Sequence, residues 1–253
     1  MKHAHLITTM IVALAFLAAW EFLPPAFGVP RYIIPTASQC LDEMWRMVRL
    51  DNLVGHTIST FTMTVVGFGI GSLMGAVIGY LLGMSVFWEK VLSPYILALQ
   101  IAPKVAFAPL FIMWFGFTFW PKLLVTILIV FFPILVNVLQ AMKTVDRDII
   151  NLARAYNLSR FEIFRKIEFP STLPALLAGL RIGSTLAVIG VTVGELVGGN
   201  TGLGFLISYG EGQGNAAMVF NSILLLTLIG VSLYTVVTYV EARLLHYIPK
   251  AEH

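Results

Sequence analysis

The stretch RAYNLSRFEIFRKIEFP, residues 154–170, carries four basic and two acidic side chains in a chain that is 58% hydrophobic and only 11% charged. Long apolar segments flank it on both sides. Residues 144–170 parse as two short amphipathic helices. Asp146 is a good N-cap for the first, with Asp148 in its opening turn. Ile149, Leu152, Ala153 and Tyr156 recur at helical spacing and predict its apolar face. Asn157 follows at the stop, since Asn tolerates the left-handed backbone that ends many helices. Ser159 with Glu162 three residues on forms a capping box for the second. Phe161, Phe164 and Ile167 or Glu168 give that arm its face, and Pro170 is expected to end it. Such a hairpin can lie on an anionic leaflet, cap a helical bundle, or dock into a groove on a soluble partner.

The rest of the chain decides what the hairpin is attached to. Soluble domains are about half apolar and about a quarter charged. A mean hydropathy of +0.88 over 253 residues therefore marks an integral membrane protein. The single cysteine, Cys40, excludes an internal disulfide framework. A span needs about 20 mostly apolar residues. Six stretches qualify: 6–23, 57–84, 91–115, 121–142, 173–197 and 216–239. The first follows Lys2 and contains Ala18 and Ala19, so a signal peptide is the alternative; its run through Trp20 to Leu23 favours a retained helix.

Lys and Arg in the connecting loops set orientation. With the N-terminus in the cytoplasm, Lys2, Lys90, Lys143, Arg147, Arg154, Arg160, Arg165, Lys166, Arg243 and Lys250 fall inside. Arg31, Arg46, Arg49 and Lys122 fall outside, and Lys104 and Arg181 lie within spans. Both termini are thus expected in the cytoplasm.

Three further stretches have physical meaning. PPAFGVPRYIIP after the first span predicts an extended segment, followed by a short helix over 38–50 that forms either a binding site or a packing plug. Gly67, Gly71, Gly75, Gly79 and Gly83 make one bare face on the second span, for close packing or for sliding. Pro94, Pro103 and Pro109 predict kinks in the third span, and interrupted helices often line transport pathways. The Gly- and Asn-rich run GELVGGNTGLGFLISYGEGQGN predicts a flexible outer loop. No Walker-type phosphate loop is present in the sequence.

The stretch NLARAYNLSRFEIFRKIEFPSTLPALLAGLRIG resembles the EAA loop of bacterial ABC transporter permeases. Asn151, Leu152 and Ala153 stand where that motif has Glu-Ala-Ala, Asn157 stands for its Gly, and Ile167, Phe169 and Pro170 match its ending. IAPKVAFAPLFIMWFG and GELVGGNTGLGFLI are similar to segments of the nitrate, sulfonate and taurine type subfamily. The resemblance covers about 57–245 of a single 1–253 permease domain. It implies an all-α, polytopic bundle of six transmembrane helices in the bacterial inner membrane. It implies a homodimer with two ATPase subunits inside and an extracytoplasmic substrate-binding protein outside. The chain would need no cofactor, ATP being bound by the partner subunit, and no metal, nucleic acid or catalysis of its own. Asn151, Leu152, Ala153, Arg154, Ala155, Tyr156, Asn157, Leu158, Ser159 and Arg160 would form the ATPase-coupling surface, with Lys104 and Glu195 as candidate pathway residues. The solute would be a small anion such as nitrate, a sulfonate or taurine, or a thiamine-precursor pyrimidine or other aromatic nutrient.

Two other classes were weighed on the residues. A stand-alone secondary transporter usually needs acids at membrane depth, and the spans hold no Asp, with Glu21 and Glu195 near their ends. An intramembrane protease needs a Ser–His or Asp pair, and His3, His5, His56, His246 and His253 all fall at ends or in loops.

Overall fold

The computed structural model of the chain describes residues 2–246, with side chains from residue 7 onward. Lys250 and His253 lie outside the described residues, as do the side chains of Lys2, His3 and His5. Every regular element among the described residues is a helix: α1 (Lys2–Ala26), α2 (Ala37–Leu50), α3 (Leu53–Gly83), α4 (Val86–Ile101), α5 (Phe107–Phe115), α6 (Phe119–Thr144), α7 (Arg147–Ala155), α8 (Arg160–Ile163), α9 (Phe169–Gly198), α10 (Leu203–Gly212) and α11 (Ala216–Leu244). Five are long and apolar enough to cross a membrane alone, and α4 with the segment Lys104–Phe115 makes a sixth candidate bent by 73°.

The core is a bundle of α3, α6 and α9, and its contacts fix their directions. A Cβ built on Gly71 would sit 3.0 Å from the Ile127 carbonyl oxygen, on Gly75 2.6 Å from that of Phe131, and on Gly79 3.0 Å from that of Leu135. Numbers rise together along both helices, so α3 and α6 run parallel. On α9 the order reverses: Gly183 meets Ile134, Gly190 meets Thr126 and Gly194 meets Lys122. Because α3 and α6 start at the same end of the bundle, the chain between them must return across it. The bent α4–α5 pair therefore makes one net crossing, which brings the number of crossings to six. The glycine stripe on α3 is a close-packed seam against α6, where even a methyl group has no room.

The structure corrects several sequence expectations. The third span is broken rather than kinked, at Ala102–Pro103, where a 3₁₀ turn (Lys104–Ala106) leads into α5. Only Pro103 breaks it. Pro94 stays within α4, and Pro109 lies in the first turn of α5, where its missing N–H costs nothing. The PPAFGVP stretch is not extended from its start, because α1 continues through Pro24 and Pro25 and ends in a turn at Gly28, with Val29 N–H donating to Pro24 O at 2.9 Å. The helix expected over 38–50 begins one residue earlier, with Thr36 and Gln39 as a capping box.

The expected flexible loop after α9 instead contains α10. Leu203 and Leu206 are buried against α2, α3 and α11, and that burial orders the segment despite its glycines. Pro170 does not end the second hairpin arm. A π turn (Phe164–Glu168) joins α8 directly to α9, with Phe169 N–H donating to Phe164 O. The wider turn relieves the clash a proline ring makes with the carbonyl four residues back.

Candidate functional site

The hairpin forms at one end of the bundle because its caps close locally. Asp146 accepts from Asp148 N–H at 2.8 Å to start α7. Asn157, at φ 57°, turns the chain, with Leu158 N–H donating to Ala153 O at 3.1 Å. Ser159 Oγ accepts from Glu162 N–H at 3.2 Å, and Glu162 accepts from Ser159 N–H at 2.9 Å, completing the capping box. Glu162 also pairs with Lys166 at 3.2 Å.

Three ties fasten the hairpin to the bundle. Arg160 donates to Met84 O, just past the end of α3, at 3.2 Å. Phe164 stacks edge-on against Tyr80 with centroids 5.3 Å apart. Thr172 Oγ1 donates to the Tyr80 hydroxyl at 3.1 Å. Nearby, Lys143 pairs with Glu89 at 2.7 Å, bracing α6 to α4.

What faces inward differs from the faces predicted. Ala153 and Ile163 are buried, and Phe164 and Ile167 are partly so. Ile149, Leu152, Tyr156 and Phe161 point outward, with Tyr156 74% exposed. The periodicity correctly found an apolar stripe on α7, but one small residue of it serves the bundle. Three large side chains are left unpartnered in the single chain. Of the candidate coupling residues, Asn151, Leu152, Arg154, Ala155, Tyr156, Asn157, Ser159 and Arg160 are exposed, Leu158 is half-buried and Ala153 is buried.

A second polar cluster closes the opposite end. Glu195, 1% exposed, accepts from Thr60 Oγ1 at 3.0 Å and from Gly204 N–H at 2.9 Å. Thr60 Oγ1 accepts in turn from Leu203 N–H at 2.8 Å, and His56 Nδ1 accepts from Gly202 N–H at 2.9 Å. Lys122, 3% exposed, donates to Thr201 O at 2.6 Å and to its hydroxyl at 3.0 Å. The cluster satisfies the buried backbone of the turn before α10. It needs Gly202 at φ 111°, where a Cβ would lie 2.0 Å from Glu195 Oε1. Sequence reasoning placed Lys122 in an outer loop and missed Thr60 and His56. The available signal was that Lys122 and Glu195 both stand at the same ends of their spans.

Lys104 and Glu195 are not brought together. Lys104 sits at the broken elbow, half-buried, with Nζ donating to Gln100 O at 2.6 Å and lying 4.9 Å from the centroid of the Phe132 ring. Gln100 O is a carbonyl left without its helical partner by the break. A further charged contact went unforeseen: Arg181 on α9 pairs with Glu241 on α11. Among the described residues no group of three or more His, Cys, Asp or Glu could hold a metal ion.

Comparisons with known proteins agree with this geometry. The family model described as "Binding-protein-dependent transport system inner membrane component" matches residues 67–246. The formylaminopyrimidine transport permease protein ThiX of Halalkalibacterium halodurans is 34% identical over 236 residues, covering 92% of each chain. The riboflavin transport system permease protein RibX of Chloroflexus aurantiacus is 33% identical, covering 94% of this chain and 88% of its own. A putative aliphatic sulfonates transport permease protein SsuC of Bacillus subtilis is 28% identical, covering 94% and 86%. Among solved structures, an inward-facing MetNI methionine ABC transporter contains a chain that superposes with a TM-score of 0.65 at 19% identity, covering 80% of this chain and 98% of that one. That likeness speaks to the fold.

Proposed function

This chain belongs to the family of binding-protein-dependent transport system inner membrane components, and from that premise we propose how it works. It is the membrane-spanning permease subunit of an ATP-driven importer, and ATPase and binding-protein partners come with that family. The finer reading is ours. Two copies pair to enclose the solute path. The hairpin end faces the cytoplasm, with both termini on that side, as the excess of Lys and Arg around the hairpin favours. ATP is bound and hydrolysed by the partner subunit, and this chain carries no cofactor.

The observation that carries the coupling assignment is the outward apolar face of α7. Ile149, Leu152 and Tyr156, with Phe161 beyond the turn, form an exposed apolar patch at a strongly charged end. A helix presenting such anchors at helical spacing suits a groove on a soluble partner. The segment 151–160 is therefore the coupling surface, with Tyr156 as its anchor. Burying an Asp in that groove would cost several kcal/mol without a partner charge. Tyr156→Asp should insert normally, lose co-purification with the ATPase and lose uptake. A Tyr156→Asp permease with wild-type ATPase binding and transport would remove the assignment.

The solute is proposed to be a small nitrogen heterocycle of the pyrimidine type. Two relatives at 33–34% identity over nearly the whole chain are named for formylaminopyrimidine and riboflavin, whereas the sulfonate relative stands at 28%. Ligand binding by the cognate binding protein tests this: selective binding of a sulfonate or nitrate would overturn it.

A further inference from the structure

Arg181 lies on α9 between Gly179 and Gly183, which press on Asn137 and Ile134 of α6, so it stands at hydrocarbon depth in the half nearer the hairpin. Its guanidinium donates through Nε to Glu241 Oε2 at 3.0 Å and through a second nitrogen to Glu241 Oε1, a bidentate pair across α9 and α11. The pair is not sealed in the bundle. The Arg181 side chain is 40% exposed and that of Glu241 is 14% exposed.

A half-exposed guanidinium facing lipid is costly, and charges at this depth characteristically face a bundle interior or a water-filled cavity. The contrast with α1 is direct: Ile11, Leu14, Phe16 and Phe22 are exposed there with no charge among them, as a lipid face requires. Beside the pair runs a groove of about 350 Å³ between α9 and α11, lined in part by Thr185, Ile189, Thr227 and Tyr234. Thr185 is four residues from Arg181, and Thr227 and Tyr234 share a face of α11, so hydroxyls continue the polar line from the pair along the groove. The Tyr234 hydroxyl lies within reach of Arg181.

We infer that this groove borders the solute path and that the Arg181–Glu241 pair is its selecting element. The pair favours a neutral or zwitterionic solute with adjacent donor and acceptor edges over a simple anion. The reason is charge balance. Arg181 alone would draw anions, but Glu241 cancels its charge locally and leaves a donor fork next to an acceptor. The inference rests on the permease reading and deepens it by naming path residues and a solute class.

Charge-matched thiol reagents test it without knowing the solute. Thr185→Cys is placed in a Cys40→Ala background, assembled with the ATPase in vesicles. It is then treated with a cationic and an anionic membrane-impermeant methanethiosulfonate. Labelling by both at similar rates is expected. Adding Glu241→Gln should raise the anionic-to-cationic rate ratio roughly tenfold, and adding Arg181→Gln should lower it by a similar factor, as one unbalanced charge nearby would do. No labelling overturns the inference, whether oxidation cross-links the two copies, meaning a protein-covered face, or does not, meaning lipid. Labelling with an unmoved ratio also overturns it, because the pair then does not face the path. Variants that keep ATP-driven uptake while failing these tests leave the permease reading intact.

Discussion

The same substitution at two glycines of one helix separates packing from propensity. A Cβ at Gly75 would meet the Phe131 carbonyl oxygen at 2.6 Å, with Leu135 N and Ile134 Cβ at 3.2 Å. Two of those three atoms are backbone, so no side-chain rotation relieves the clash. Restoring ordinary contact needs α3 and α6 to part by on the order of 1 Å, loosening dispersion contacts along the seam. Gly69, two turns earlier, has nothing within 4 Å of its added Cβ. Gly→Ala improves helix propensity by about 1 kcal/mol at either site, so that gain cancels in the comparison. What remains is overpacking, about 1–3 kcal/mol. Gly75→Ala should therefore be less stable than Gly69→Ala by that amount, with Gly71→Ala and Gly79→Ala between them, since their Cβ atoms clear backbone oxygen by 3.0 Å. Unfolding of purified protein in mixed detergent micelles with rising dodecyl sulfate reads the order. Equal stability for the Gly69 and Gly75 variants would refute the seam.

Glu195→Ala leaves the Gly204 N–H without its acceptor, at a cost on the order of 1–3 kcal/mol; protease cutting between residues 199 and 215 should rise, with Glu195→Gln recovering part of the protection. Gly202→Ala should be worse than Gly212→Ala, which meets nothing within 4 Å, and comparable yields of folded protein would count against the tight turn. Cys40 is buried, and burial pushes its thiol pKa up, so the folded protein should resist maleimide at pH 7 while dodecyl sulfate exposes the thiol within minutes; rapid native labelling would contradict its placement. Ser159→Ala removes one side of the capping box at about 1 kcal/mol, and is expected to weaken ATPase association without affecting membrane insertion, read by co-purification.

The sequence made the hairpin legible because its signals are local. Asp146, Asn157, Ser159 and Glu162 act within a few residues of themselves, and the structure uses each where the spacing put it. The bare face of α3 was legible for the same reason, though only the partner helix decides whether it packs or slides. Tertiary effects were not legible. Glycine content marks α10 as a loop, yet Leu203 and Leu206 find burial against three other helices. Pro170 reads as a stop, yet a π turn carries the helix through it. Arg181 and Glu241 are 60 residues apart, and nothing in either one's neighbourhood names the other. Lys122 and Glu195 were visible as charges at span ends. Their separate partners depend on how α10 folds back.

The continuity of α8 with α9 bears on how a push at the hairpin could travel. Had Pro170 ended the arm, the hairpin would hang on a flexible joint and a force at Tyr156 would dissipate there. Instead Arg160 to Gly198 is a single helical rod, interrupted only by the π turn. Arg160 and Phe164 tie its near end to α3, and the glycines of α9 seat its length on α6. A rod held this way moves with α3 and α6, because their backbones are already too close to slide past one another. The parts less bound to this body are the α4–α5 elbow, where α4 buries no side chain fully, and the groove between α9 and α11. Relative movement is easiest there. The two cations at hydrocarbon depth, Lys104 and Arg181, stand one at each of these places.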